Sequence, residues 1–220
     1  MSIKNNIANI ERKLGGHSKL VAVSKTKPPE LIREAYESGQ KDFGENRVQE
    51  LTDKYQILPK DIRWHMIGHL QTNKVKFIIP FVYLIHAVDS DKLLKEIQKQ
   101  GKKINRKINC LLQVHIAREE TKFGWEAGEL MEYLQSPQIQ HYDYIQVKGL
   151  MGMATFTDDK EQVKKEFRSL KNLYEEIKTM TTPENIEMEE LSMGMSNDYE
   201  LAIEEGSTLV RIGSALFGER

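Results

Sequence analysis

The residue best placed for covalent chemistry is Lys25, which follows the apolar run LVAVS at residues 20–24. Side chains alternate along a strand, so Lys25 shares a face with Val21 and Val23. If the valines face inward, desolvation and the nearby charge of Lys27 both lower the pKa of the Lys25 amine. Such an amine is suited to forming an imine with a carbonyl compound. The alternative is an ordinary solvated lysine at a strand end.

Two segments near the C-terminus have the composition of a phosphate site, GMSN at 194–197 and GSA at 213–215. Glycine lets backbone N–H groups approach an anion, and a helix beginning at Ser196 or Ser214 presents its positive end. Serine and asparagine also make ordinary helix caps, so these segments alone leave both interpretations open. Combined with an inward-facing lysine, they indicate a phosphorylated carbonyl ligand.

Arg211 lies two residues before Gly213, so both point the same way in a regular strand. Arginine donates hydrogen bonds and cannot accept them. Facing a pyridine nitrogen, it would keep that nitrogen unprotonated and weaken the ring as an electron sink. The alternative is an arginine paired with Glu204 or Glu205.

Short apolar runs that alternate with amphipathic stretches must position these residues. The predicted strands are 20–24, 42–44, 63–68, 82–88, 108–115, 145–151, 188–193 and 209–213. The predicted helices are 28–38, 45–55, 71–78, 90–99, 126–134, 158–179 and 197–205, with Gly39, Gly101 and Gly206 as C-caps. Continuous apolar strands are typical of parallel sheets. About eight strand–helix units after one extra N-terminal helix predict an α/β fold, a single (β/α)8 TIM-type barrel domain over residues 1–220. A doubly wound sheet is the alternative, but its glycine-rich first turn is lacking.

Composition excludes several classes of function. Hydrophobic residues make up 39% and charged residues 30%, as in soluble globular proteins. A net charge of -1 offers no basic face to nucleic acid, and no apolar run approaches the roughly 20 residues that cross a membrane. The single cysteine, Cys110, is expected to be a buried packing residue, and without an internal disulfide we expect a cytoplasmic protein. We expect no metal site, because His65 and His69 lack further ligands.

Five motifs carry a resemblance to a known family. They are LVAVSKTK (20–27), FGENRVQE (43–50), WHMIGHLQTNK (64–74), LSMGMS (191–196) and VRIGSALFG (210–218). In this order they resemble the YggS/PROSC family of pyridoxal phosphate homeostasis proteins, from about Leu20 to the C-terminus. The resemblance implies a barrel like the N-terminal domain of alanine racemase, with pyridoxal 5′-phosphate as the cofactor.

The resemblance also implies roles for individual residues. Lys25 matches the lysine that forms the Schiff base, and Arg211 matches the arginine that faces the pyridine nitrogen. The matches to phosphate ligands are Ser196, Gly213 and Ser214. The matches to positions around the ring are Asn46, His65 and Met151. Lys27 and Lys122 match lysines that influence cofactor transfer.

The resemblance implies a protein that binds the cofactor and releases it to apo-enzymes or salvage enzymes. It implies this role more than a catalytic one. Racemisation needs acid–base groups on both faces of the cofactor, one of them a tyrosine from another subunit. The sequence ends at Arg220 without the second domain that completes a racemase site, so we expect a monomer and no racemase activity. Two alternatives remain open: an amino-acid racemase or lyase that uses the same cofactor, and a sugar-phosphate isomerase with Glu45 as its base.

Overall fold

The computed structural model describes residues 2–118 and 123–218 and shows eight parallel strands in a closed barrel. The strands are β1 (Lys19–Val23), β2 (Asp42–Glu45), β3 (Arg63–Met66), β4 (Leu84–Val88), β5 (Ile108–Gln113), β6 (Ile145–Met151), β7 (Ile186–Met195) and β8 (Leu209–Ile212). Neighbours in the chain are neighbours in the sheet, and β8 pairs with β1 to close the barrel. The predicted TIM-type barrel is therefore confirmed.

Helices surround the barrel and one more precedes it. They are α1 (Ile3–Leu14), α2 (Pro29–Glu37), α3 (Val48–Ile57), α4 (Val75–Ile78), α5 (Asp91–Lys103), α6 (Ala127–Gln135), α7 (Pro137–Gln140), α8 (Lys160–Thr179), α9 (Tyr199–Glu204) and α10 (Ser214–Phe217). The extra N-terminal helix α1 buries Ile3, Ile7, Ile10 and Leu14 against its neighbours. That spacing of three to four residues forms one apolar face of a helix.

The predicted helices need several corrections. The helix predicted from residue 45 begins at Val48, because Glu45 belongs to β2, and α7 was not predicted. The segment predicted as one helix over 71–78 begins as a 3-10 turn, Thr72–Lys74, before α4. Gly101, predicted to be a C-cap, lies inside α5. A Cβ atom there would lie 2.8 Å from the carbonyl oxygen of Arg106 and 3.1 Å from Cβ of Tyr144. Close packing therefore explains this glycine, whereas Gly39 and Gly206 have the positive φ of helix ends.

Apolar side chains fill the barrel interior and the space between barrel and helices. The interior cluster contains Val21, Leu84, Ala87, Leu111, Met151 and Leu209. Val21 belongs to this interior cluster and Ala22 to the outer one, so the face of β1 that carries Val21 points into the barrel, as predicted.

Three further observations concern the cysteine, possible metal ligands and possible membrane spans. Cys110 is buried and unpaired, and burial raises the pKa of its thiol, as expected of a packing residue. Within residues 2–118 and 123–218, no three side chains are grouped as metal ligands. No helix in the same part of the chain is both long and apolar enough to span a membrane.

Candidate functional site

A cavity of about 510 Å³ opens at the carboxyl ends of the strands. This is the end at which (β/α)8 barrels carry their binding sites. Of the residues predicted from the sequence, it is lined by Lys25, Lys27, Asn46, Ser196, Arg211, Gly213 and Ser214. Residues that lie more than 180 positions apart in the chain therefore meet here because β8 lies beside β1.

Hydrogen bonds from α3 hold the turn that carries Lys25. Thr26 has a φ of 64°, in the left-handed region that a β-branched residue rarely adopts. Its N–H donates to Oε1 of Glu50 at 2.6 Å, and the Lys54 ammonium donates to the Ser24 carbonyl at 2.7 Å. Two contacts from one helix therefore hold both sides of Lys25, so the position of its Cα is well defined.

The same lysine of α3 forms a buried ion pair with Glu45. Nζ of Lys54 lies 2.7 Å from Oε1 of Glu45, whose side chain is 0% exposed. Burial raises the pKa of Glu45, although Lys54 and the hydroxyl of Ser24 act in the opposite direction. Oε2 of Glu45 has no hydrogen-bond partner among the described residues. Glu45 does not line the cavity, which argues against the alternative of an isomerase with Glu45 as its base.

Hydrogen-bond donors and small residues meet where β7 and β8 end. The Gly213 N–H donates to Oγ of Ser196 at 3.2 Å, which joins the two loops. A Cβ atom on Gly213 would lie 3.1 Å from the carbonyl oxygen of Val23, so glycine allows β8 to approach β1 closely. Asp198 also lines the cavity and accepts from the Met195 N–H at 2.6 Å. Its carboxylate would repel an anion. An anionic group in the cavity would therefore lie against Ser196, Gly213 and Ser214 instead.

Arg211 lies at the floor of the cavity and is 4% exposed. Its guanidinium donates to the Gly152 carbonyl at 3.0 Å and to the Ser192 hydroxyl at 2.5 Å. Burial lowers the pKa of Arg211 to about 10, so the side chain stays a cation at neutral pH. The alternative prediction, that Arg211 pairs with Glu204 or Glu205, was wrong. Glu204 pairs with Lys164, and Glu205 pairs with Arg168.

Two residues that the resemblance places around the ring lie one layer deeper than expected. His65 is 1% exposed and bonds to His86 and Asp42 in the barrel interior. Met151 is fully buried in the apolar interior cluster. Neither lines the cavity. The residues two positions further along each chain segment, Ile67 and Met153, line it instead, because side chains two apart share a face.

Some cavity residues were not predicted, and His69 is the most notable of them. It lies at the mouth with Nδ1 2.9 Å from Oδ2 of Asp89, and its ring stacks on Phe123 at 4.2 Å. Its place directly after β3 is the signal that could have identified it.

The predicted transfer residue Lys27 donates to the Gly218 carbonyl at 2.8 Å, and Lys122 lies outside the described residues.

A barrel with a lysine after β1 and hydrogen-bond donors after β7 and β8 defines a class of protein that binds small phosphorylated ligands. The whole chain, residues 1–220, matches the sequence family described as alanine racemase, N-terminal domain. A protein of Aquifex aeolicus named pyridoxal phosphate homeostasis protein is 47% identical over 208 residues, which cover 92% of this chain and 87% of the relative. The human protein of that name is 38% identical over 92% of this chain and 76% of its own length. The chain therefore belongs to the family of pyridoxal phosphate homeostasis proteins.

Solved structures agree with this assignment. PipY of Synechococcus elongatus PCC7942 with PLP bound is 35% identical, with a TM-score of 0.88 over 98% of this chain and 100% of that one. The alanine racemase of Bartonella henselae with covalently bound pyridoxal phosphate shares the fold, with a TM-score of 0.76 at 16% identity. Our chain covers 60% of that racemase.

Proposed function

We propose that this chain binds pyridoxal 5′-phosphate in the cavity, holds it through Lys25, and gives it up to other enzymes as part of cofactor homeostasis. The observation that carries the proposal is the meeting, in one cavity, of the Lys25 amine, the Ser196–Gly213 pair and the Arg211 cation. The names of the relatives and the PLP-bound PipY structure support it.

The chemistry of the donor set fits this cofactor. Pyridoxal phosphate carries an aldehyde, a phosphate and a pyridine nitrogen, and when bound it supplies an electrophilic carbon and an electron-accepting ring. Lys25 would hold the aldehyde carbon, and the hydroxyls and N–H groups of Ser196, Gly213 and Ser214 would hold the phosphate. Arg211 would donate to the ring nitrogen. A cavity of about 510 Å³ lies within the usual range for small-molecule sites.

The same residues favour holding over turnover. Arg211 is a donor only, so it would leave the ring nitrogen unprotonated and the ring a weak electron sink. Among residues 2–118 and 123–218, no tyrosine lines the cavity to act as the second acid–base group of a racemase. A racemase or lyase remains the alternative function, and the shared fold of alanine racemase together with His69 at the cavity mouth favours it.

One measurement tests the covalent link at Lys25, and a second separates the carrier from the racemase or lyase. Adding pyridoxal phosphate should produce the absorption band of a covalent lysine adduct, which Lys25→Ala should abolish. The control Lys92→Ala, at an exposed lysine that does not line the cavity, should retain the band. The loaded protein should then activate an added apo-enzyme that depends on pyridoxal phosphate, and should leave L-alanine and other amino acids unchanged. Steady turnover of an amino acid would establish the alternative and contradict the carrier proposal.

Two further features of the proposal concern the state of the protein in the cell. We propose a cytoplasmic monomer, and the single buried cysteine supports the location. Light scattering on the purified protein measures the mass directly, and fractionation of cells measures its location. A stable dimer whose partner copy completes the cavity would contradict the first part.

A further inference from the structure

A continuous line of hydrogen bonds runs through the barrel interior from Arg211 in β8 to Asp42 at the start of β2. Arg211 donates to Oγ of Ser192 at 2.5 Å, and that oxygen lies 2.9 Å from Nδ1 of His86. Nε2 of His86 lies 2.9 Å from Nδ1 of His65, and Nε2 of His65 lies 3.0 Å from Oδ1 of Asp42. The three central residues are at most 1% exposed.

With one proton on each histidine ring, the chemistry of the two ends fixes the direction of every bond between them. Burial would raise the pKa of Asp42, but hydrogen bonds from His65 and Arg63 outweigh it and lower that pKa, so Asp42 is an anion that accepts. Burial lowers the pKa of His86, and the nearby charge of Arg211 acts in the same direction, so this ring is neutral. The one proton of His65 then lies on Nε2, facing Asp42.

The remaining protons follow in sequence. Nδ1 of His65 is then an acceptor, so His86 must carry its proton on Nε2. Nδ1 of His86 is an acceptor in turn, so the Ser192 hydroxyl donates to it and accepts from Arg211. All the bonds point from the cation to the anion, and none of these polar atoms is among the buried ones without a partner.

We propose that Ser192 and His86 are positioning residues, which orient Arg211 for the cofactor ring by linking its guanidinium through His65 to Asp42. A buried cation is costly unless it is paired and hydrogen-bonded. Asp42, the carboxylate at the far end of this line, lies four residues away, and Asp198 at the cavity also acts on the charge of Arg211. The line engages one edge of the planar guanidinium and leaves its remaining N–H groups for the cavity. This proposal deepens the proposed function and rests on it for the role of Arg211.

The proton positions can be tested in the free protein, without any cofactor. Long-range ¹H–¹⁵N spectra distinguish the two tautomers of each of the six histidines. A nitrogen–nitrogen coupling across the His86–His65 hydrogen bond identifies this pair without a substitution. We expect the proton of His86 on Nε2 and an unprotonated Nδ1. A proton on Nδ1 of His86, or no coupling between the rings, would overturn the proposal.

A set of serine variants tests the positioning role. Ser192→Ala removes a hydrogen bond to a charged group, so we expect pyridoxal phosphate to bind roughly tenfold or more weakly, with a shifted pH midpoint of its absorption band. Ser192→Thr keeps the hydroxyl and should recover most of the affinity. The matched control is Ser207→Ala, which removes another buried hydroxyl that donates only to backbone carbonyls and should bind as the wild type does.

The outcomes of this series are distinct. Wild-type affinity and an unchanged band in Ser192→Ala would overturn the positioning role. An equal loss in Ser207→Ala would also overturn it, because the loss would then reflect a general loosening of the barrel. If the wild-type protein bound no pyridoxal phosphate, the proposed function would fail, and the tautomers of the free protein would still decide whether the hydrogen-bond line exists.

Discussion

Replacing Lys54 by methionine removes the ion-pair partner of the buried Glu45 carboxylate, and no other charged partner within 4 Å lies among residues 2–118 and 123–218. The substitution keeps much of the apolar length of the side chain but removes three hydrogen bonds from Nζ, to Glu45, Glu50 and the Ser24 carbonyl, each 2.7 Å long. Removing one partner of a buried ion pair typically costs about 3–5 kcal/mol, because the remaining charge is left uncompensated.

The protonation of Glu45 sets an independent limit on the free energy of unfolding that Lys54→Met loses. The variant can relieve the buried charge by protonating Glu45. Protonation costs about 1.4 kcal/mol for each pH unit above the ordinary glutamate pKa of about 4.3, or about 4 kcal/mol at pH 7. The expected loss in unfolding free energy at pH 7 is therefore about 4 kcal/mol from ionisation, with a smaller part from the lost hydrogen bonds.

The pH dependence has a definite sign. The pKa of Glu45 is raised in the folded protein, so its contribution to stability is present at low pH and is lost as the pH rises through that folded-state value. Loss of Lys54 raises the folded-state pKa further and extends the window of lost stability toward neutral pH. The difference between Lys54→Met and the wild type should therefore shrink between pH 7 and pH 5.

Urea unfolding at both pH values measures this difference. The double variant Glu45→Gln with Lys54→Met buries no charge and should recover most of the loss. The surface control Lys95→Met breaks an exposed pair with Asp91 and should cost less than about 1 kcal/mol. A loss that is the same at pH 5 and pH 7, or one no larger than that of the surface control, would refute the reasoning.

Three other predictions test separate parts of the structure. Ser196→Ala should weaken the binding of pyridoxal phosphate about tenfold in an absorption titration and leave the binding of phosphate-free pyridoxal unchanged; equal losses for both ligands would exclude a phosphate contact. Gly149→Ala should cost several kcal/mol in urea unfolding, because its Cβ would lie 1.8 Å from the Glu190 carbonyl oxygen, whereas Gly16→Ala, in open space at φ 76°, should cost only about 1 kcal/mol. The Cys110 thiol, buried and with a raised pKa, should react with a thiol reagent only after unfolding; rapid reaction of the native protein would contradict its burial.

The barrel and the main site residues were predictable because they follow from local rules. Continuous apolar runs indicate parallel strands covered on both faces. Alternation along β1 then placed Lys25 on the inward face with Val21, and the same rule placed Arg211 with Gly213. These residues lie at the ends of strands, where side-chain direction follows from two or three neighbouring positions.

The hydrogen-bond line through the interior could not be predicted in the same way. His86, His65 and Ser192 come from β4, β3 and β7, and they meet only because the strands are tilted and shifted along the barrel. That shift depends on bulges, such as the one between Ile85 and Val88, which apolar runs do not reveal. Nor could the apolar runs show that His65 and Met151 lie one layer below the cavity lining.

The most direct test of the account concerns the covalent link at Lys25. The protein is loaded with pyridoxal phosphate, reduced with borohydride, digested and mapped by mass spectrometry. The account predicts one pyridoxyl group, on the peptide that contains Lys25, and none in Lys25→Ala. A pyridoxyl group on a different lysine of the wild type, or no stable adduct after reduction, would contradict it.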